Sequence, residues 1–119
     1  MTTPLPEDER FLDVARDVAH RFGSYGRYGS RAKAQKAQRR RAPGFDEQDY
    51  DDALDFFVEL YAVAKRGVKV HHHPKGGTAS FEDVDFDALL ADLDELRPGF
   101  AVEQKGIIAS WSVLYYVLM

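Results

Sequence analysis

The residues of this sequence best suited to bind a ligand are the basic side chains between Val18 and Phe45. This segment holds half of the chain's sixteen lysines and arginines and no acidic residue, although the formal net charge of the chain is −4. Such segregation creates a local positive field. Clustered cations bind phosphate groups and release counterions, which gives affinity for nucleic acid without reading its sequence. We therefore predict a contact for nucleic acid or another polyanion, with these candidate phosphate contacts: Arg27, Arg31, Lys33, Lys36, Arg39, Arg40 and Arg41.

Two tyrosines favour the same interpretation. Tyr25 and Tyr28 flank Arg27 in a glycine-rich stretch, and aromatic rings on such a backbone can stack on unpaired bases. A second interpretation has an equally good physical basis: the basic side chains could lie against carboxylates of the same chain, near Asp46 or within residues 83–95. The chain outside the basic segment carries eight basic and twenty acidic residues, so partners are plentiful. The sequence leaves both interpretations open.

A different class of function is protein interaction, as in a small inhibitor, an immunity-like protein or an adaptor. Acidic residues are dense in the segments 49–59 and 82–95, and they could face a basic partner. The C-terminal segment is apolar from Val113 onward, which indicates either burial or self-association. This hypothesis stands beside nucleic-acid binding as its main alternative.

Three consecutive histidines, His71, His72 and His73, raise the possibility of metal chemistry. In a strand, His71 and His73 would project to the same side and could chelate zinc, copper or nickel. A third ligand is needed, and no H-E-x-x-H or similar spacing supplies one. A small metal-dependent enzyme built on His71 and His73 is therefore the third hypothesis, and no other cofactor is expected.

Other catalytic chemistry finds little support in the sequence. The chain has no cysteine, which excludes a disulfide scaffold, a thiolate-bound zinc and a thiol nucleophile. Ser110 and Ser112 are not set in a G-x-S-x-G elbow, and the glycine clusters do not match a phosphate-binding loop. We predict no catalytic residue and favour binding over catalysis.

Four helices are expected to position these residues, over 7–22, 31–42, 46–66 and 85–96. Each has apolar residues at helical spacing or good helix formers, with acidic residues near its start or a Gly or Pro at its end. The second helix is short and basic, and no large apolar residue occurs from Gly29 to Gly44. At 100° per residue, Ala34 and Ala37 share one side of it, while Lys33, Lys36 and Arg40 cluster on another. This helix is expected to be peripheral.

Three strands are also expected. Residues 68–73 alternate in polarity, and residues 100–104 and 107–119 resemble a hairpin joined at Lys105-Gly106. The predicted fold class is therefore α+β: a small antiparallel sheet of about three strands, packed against three main helices plus the short peripheral basic helix. The last strand is apolar on both faces, so we expect it to be central or to form a homodimer.

Length and composition predict a single domain over residues 1–119, with the basic loop and helix inserted at about 23–44. The first ten residues lack the basic and apolar regions of a signal peptide. The longest apolar stretch, from Val113 to Met119, is too short to cross a bilayer. We therefore expect a cytoplasmic protein without a membrane partner.

Overall fold

The computed structural model describes residues 4–24, 29–74 and 80–118, and in these residues the secondary structure is helical. The helices are α1 (Glu9–Ser24), α2 (Arg31–Arg41), α3 (Glu47–Val70), α4 (Phe86–Asp94) and α5 (Val102–Leu118), with one 3-10 turn at Phe81–Asp83. No strand forms within the described residues, so the predicted α+β fold with its small antiparallel sheet is wrong. The β-type pairing in the described backbone consists of one isolated antiparallel bridge, between His72 and Val84.

The four expected helices are present as α1 to α4, and local sequence explains their ends. Ser30 begins α2 by accepting a hydrogen bond from the backbone N–H of Lys33 at 3.3 Å, and Asp85 begins α4 in the same way through Ala88 at 3.1 Å. Both residues have extended backbones before the helix, as N-cap residues usually do.

The strand expected over residues 68–73 is wrong because α3 continues to Val70. The backbone N–H of His71 donates to the carbonyl of Gly67 at 2.9 Å, which is the helical i to i−4 pattern. Val68 is 1% exposed and Val70 is 69% exposed, whereas a strand would place them on the same face. His71 and His73 follow the end of α3, beside the isolated bridge between His72 and Val84.

The hairpin expected over residues 100–104 and 107–119 is also wrong, because α5 occupies most of this region. Lys105-Gly106 forms no turn: both residues lie inside α5, and the Lys105 N–H donates to the carbonyl of Ala101. A segment without a polar side fits a strand that is apolar on both faces and also a helix that is apolar all around. Periodicity alone therefore did not distinguish the two structures. A dimer through a C-terminal strand is therefore not supported.

The residues divide into two compact units, 1–59 and 60–119, with the boundary inside α3. In the first unit, α2 packs against α1, and its small residues Ala34 and Ala37 are buried. The ring of Phe11 lies 4.5 Å from that of Phe45 and 5.6 Å from that of Tyr50, measured between centroids. The buried side chain of Gln38 connects α2 to α3, because its Nε2 donates to the Tyr50 carbonyl at 3.2 Å. The expectation of one domain over residues 1–119 stays a prediction.

In the second unit, α4 packs against α5. Leu89, Leu93, Ile108 and Val113 are fully buried. Lys105 is also buried, and its Nζ donates to Asp94 Oδ1 at 3.0 Å and to the carbonyl of Arg97 at 2.8 Å. None of the helices in the described part of the chain has the length and apolar character needed to cross a membrane.

Candidate nucleic-acid interface

The basic helix α2 has two chemically different faces. Ala34, Ala37 and Gln38 are buried, whereas Lys33, Lys36 and Arg40 are exposed. The exposed residues stand at i, i+3 and i+7, which places them within about 60° of one another around the helix. We call these three residues the cationic face of α2. The small side chains Ala34 and Ala37 let α2 pack closely against α1, while its long basic side chains reach solvent.

Arg31, at the start of α2, is held by two aspartates of α3. Its Nη2 lies 2.8 Å from Asp51 Oδ1 and 2.8 Å from Asp55 Oδ1, and it also donates to the Asp51 carbonyl at 3.0 Å. Gln35 donates to the same Asp51 carboxylate at 2.5 Å. Burial would lower the pKa of Arg31, but the hydrogen bonds to the two aspartates outweigh it and raise that pKa.

Arg41, at the end of α2, is held by α1. Its Nη1 lies 2.7 Å from Asp17 Oδ2, and its backbone carbonyl accepts a hydrogen bond from Arg10 Nε at 3.0 Å. Burial alone would raise the pKa of Asp17, but hydrogen bonds and charge from Arg41 and Arg21 more than compensate and lower it. The two ends of α2 are therefore fixed by ion pairs within the first unit.

Arg39 has an intermediate position. Its Nη1 lies 3.3 Å from Glu47 Oε1, and the two side chains are 43% and 85% exposed. Ion pairs this exposed contribute about 0.2–1 kcal/mol. A phosphate group could replace Glu47 here at little cost, so Arg39 lies at the margin of the cationic face rather than inside the protein.

The cationic face itself makes no ion pair with any residue that the structure describes. Lys33 and Arg40 are seven residues apart on one helix, which corresponds to about 10 Å along its axis. Lys36 lies between them. The arrangement is a short row of cations on a helix whose two ends are fixed.

The structure thus divides the seven basic residues that the sequence nominated. Arg31 and Arg41 contact aspartates of the chain, Arg39 contacts Glu47 weakly, and Lys33, Lys36 and Arg40 face solvent. Arg27 lies outside the described residues, as do the two candidate stacking residues Tyr25 and Tyr28. Arg31 and Arg41 thus form the internal ion pairs of the second interpretation, whereas polyanion binding stays a prediction for Lys33, Lys36 and Arg40.

The histidines have other contacts. His71 Nε2 lies 2.7 Å from Asp92 Oδ2, His72 Nδ1 lies 3.0 Å from the Tyr116 hydroxyl, and His73 is exposed. Among the residues that the structure describes, no group of three side chains could hold a metal ion. His71 instead links the end of α3 to α4, and His72 links it to α5.

A second exposed surface lies on α5. Trp111, Leu114, Tyr115 and Leu118 are all exposed, and they stand at i, i+3, i+4 and i+7. This helical spacing was readable in the sequence, but the assignment of a strand to the segment concealed it.

Comparisons of the chain with protein-family models, with curated proteins and with solved structures find no match.

Proposed function

We propose that this protein binds nucleic acid through the cationic face of α2, contacting phosphate groups without reading bases. The observation that carries the proposal is the division of charge on α2. Arg31 and Arg41 are neutralised by the chain's own aspartates, while Lys33, Lys36 and Arg40 remain exposed on one face. A helix with both ends fixed presents these cations in a constant direction.

The dimensions of the cationic face suit a phosphate backbone. Double-stranded DNA presents one negative charge per about 1.7 Å of its axis, so about 10 Å of α2 faces roughly six phosphate charges. Long lysine and arginine side chains can each reach one of them. Three contacts correspond to a slope of about −2.7 in a plot of log affinity against log salt for a duplex, and about −2.1 for a single strand.

The other two hypotheses gain less support from the contacts. Two aspartates of the acidic segment 49–59 that a basic partner could have used, Asp51 and Asp55, already bind Arg31 of the chain. The metal hypothesis required a third ligand beside His71 and His73, and no group of three suitable side chains occurs among the residues that the structure describes. Nucleic-acid binding is therefore the function we favour.

The test is a titration of a fluorescently labelled duplex, and of the corresponding single strand, followed by anisotropy from low to physiological salt. The test variant is Lys33→Ala/Lys36→Ala/Arg40→Ala. The control is Lys65→Ala/Arg66→Ala/Lys69→Ala, which removes three exposed cations near the end of α3 and changes the net charge by the same amount. Alanine is a good helix former, so both variants should keep their helices.

We expect the wild-type protein and the control to show a salt slope between about −2 and −3, and the test variant to lose most of it. Equal losses in the test variant and the control would contradict the proposal, since binding would then follow net charge rather than position. Absence of salt-dependent binding by the wild-type protein would contradict it as well.

A further inference from the structure

Arg39 is held more loosely than the two arginines at the ends of α2. Arg31 and Arg41 approach their aspartates to 2.8 and 2.7 Å, and each is fixed by a backbone hydrogen bond as well. Arg39 Nη1 lies 3.3 Å from Glu47 Oε1. The Glu47 side chain is 85% exposed, more than any of the three aspartates that bind Arg31 and Arg41.

Arg39 also stands next to the cationic face. It lies three residues after Lys36 and directly before Arg40, and all three are exposed. Residues three apart on a helix have Cβ atoms about 5–6 Å from each other. Arg39 therefore borders the cationic face on the side toward α3, which begins at Glu47. A guanidinium group released from Glu47 can reach the same ligand as Lys36 and Arg40.

Glu47 does not depend on Arg39 for its own stability. It is the first residue of α3, and the helix dipole stabilises a carboxylate at the N-terminal end of a helix. Its side chain is also exposed to water. When Arg39 leaves, the carboxylate needs no replacement cation, so the exchange of Glu47 for a phosphate group costs only the ion pair itself.

We propose that Arg39 is a fourth phosphate contact and that Glu47 competes with the nucleic acid for it, an inference that rests on the proposed function. The Glu47 carboxylate places an oxyanion against the Arg39 guanidinium group, in the position that a phosphate oxygen would take. A phosphate group gains Arg39 only by displacing this carboxylate. The contact is therefore autoinhibitory: Glu47 lowers the affinity of the protein for nucleic acid.

The strength of the ion pair sets the size of the effect. Pairs this exposed are worth a factor of about 1.5 to 5 in an equilibrium constant, so removal of Glu47 should tighten binding by about that factor. Each phosphate contact contributes about −0.9 to the slope of log affinity against log salt for a duplex. The slope should therefore steepen by at most about 0.9 when Arg39 becomes available.

The experiment is an anisotropy titration of a fluorescently labelled DNA duplex with the full chain, over a range of salt concentrations. The test variant is Glu47→Gln. The control is Glu59→Gln, which removes the same charge from another exposed glutamate of α3. Glutamine and glutamate have similar helix propensities, so both variants should keep α3. Each substitution is also made in an Arg39→Ala background.

We expect Glu47→Gln to bind the duplex about 1.5- to 5-fold more tightly than the wild type at low salt, and more tightly than Glu59→Gln. In the Arg39→Ala background the two substitutions should have equal effects, because the contact that distinguishes Glu47 is gone. Equal gains from Glu47→Gln and Glu59→Gln in the wild-type background would overturn the inference, as would a larger gain from Glu47→Gln that persists without Arg39.

These results are distinguishable from failure of the proposed function. If the wild type binds and the triple variant of the cationic face does not, the proposed function stands whatever Glu47→Gln does. If neither the wild type nor Glu47→Gln shows salt-dependent binding, the proposed function and the role of Glu47 are both wrong.

Discussion

Replacing Arg31 by alanine should destabilise the protein, whereas replacing Arg40 should not, although both are arginines of the same short helix. Arg31 makes two ion pairs at 2.8 Å, with Asp51 and Asp55, and donates to the Asp51 carbonyl. Partly exposed ion pairs contribute about 0.2–1 kcal/mol each, and a typical intramolecular hydrogen bond adds about 0.5–1.5 kcal/mol. The expected loss for Arg31→Ala is therefore about 1–3 kcal/mol in the free energy of unfolding.

Arg40 is exposed and pairs with no carboxylate in the described part of the chain. Arg40→Ala should change the free energy of unfolding by less than about 0.5 kcal/mol, as surface substitutions usually do. The assay is urea denaturation followed by circular dichroism.

A double-mutant cycle separates the Arg31–Asp51 contact from other effects of either substitution. Arg31→Ala/Asp51→Ala should lose less stability than the two single variants together, because both remove the same interaction. The reasoning would be refuted if the stability losses in the cycle were additive, or if Arg31→Ala and Arg40→Ala lost the same free energy of unfolding. Arg31 would then not be held by α3 while Arg40 faces solvent.

Three further outcomes follow from individual contacts. A Cβ at Gly67 would lie 2.6 Å from Leu89 Cδ1, so Gly67→Ala should destabilise the protein by about 1 kcal/mol despite the better helix propensity of alanine. In a Leu89→Ala background the same substitution should become stabilising, as thermal unfolding would show. Because the pKa of Asp17 is lowered in the folded state, the stability that Asp17 contributes is present above its unfolded pKa of about 4 and lost as the pH falls through the folded pKa. The advantage of wild type over Asp17→Asn should therefore disappear in acid; an advantage that persists would contradict this. Ala101 has a positive φ of 53°, so Ala101→Gly should stabilise the protein by about 0.5–1 kcal/mol, and a loss of stability would count against that backbone geometry.

Local signals were sufficient to predict α1 to α4. The N-caps Ser30 and Asp85 and the helical spacing of apolar residues act over a few positions, and the structure retains them. The C-terminal segment was different, because β-branched and aromatic residues there are compatible with a strand. Lys105 illustrates a tertiary contact that the sequence does not signal. Its buried Nζ is satisfied by Asp94 and by the carbonyl of Arg97, a contact that depends on packing and leaves no short-range signature.

The candidate site likewise has features that the local sequence predicted and features that depend on tertiary contacts. The positions of Ala34 and Ala37 indicated the inner side of α2, and they placed Lys33, Lys36 and Arg40 elsewhere on the helix. Helical periodicity alone could not show that Arg31 would contact Asp51, twenty residues away. Charge clusters become interpretable as surfaces only after the internal ion pairs have been identified.

The most direct test of the account is a lysine footprint of the wild-type protein. Acetylation rates of individual lysines, measured by mass spectrometry with and without a DNA duplex at low salt, report which amines the nucleic acid covers. We expect the duplex to slow acetylation of Lys33 and Lys36 and to leave that of Lys65 and Lys69, which are also exposed, unchanged. Equal protection of all four lysines, or no protection of Lys33 and Lys36, would contradict the assignment of the cationic face.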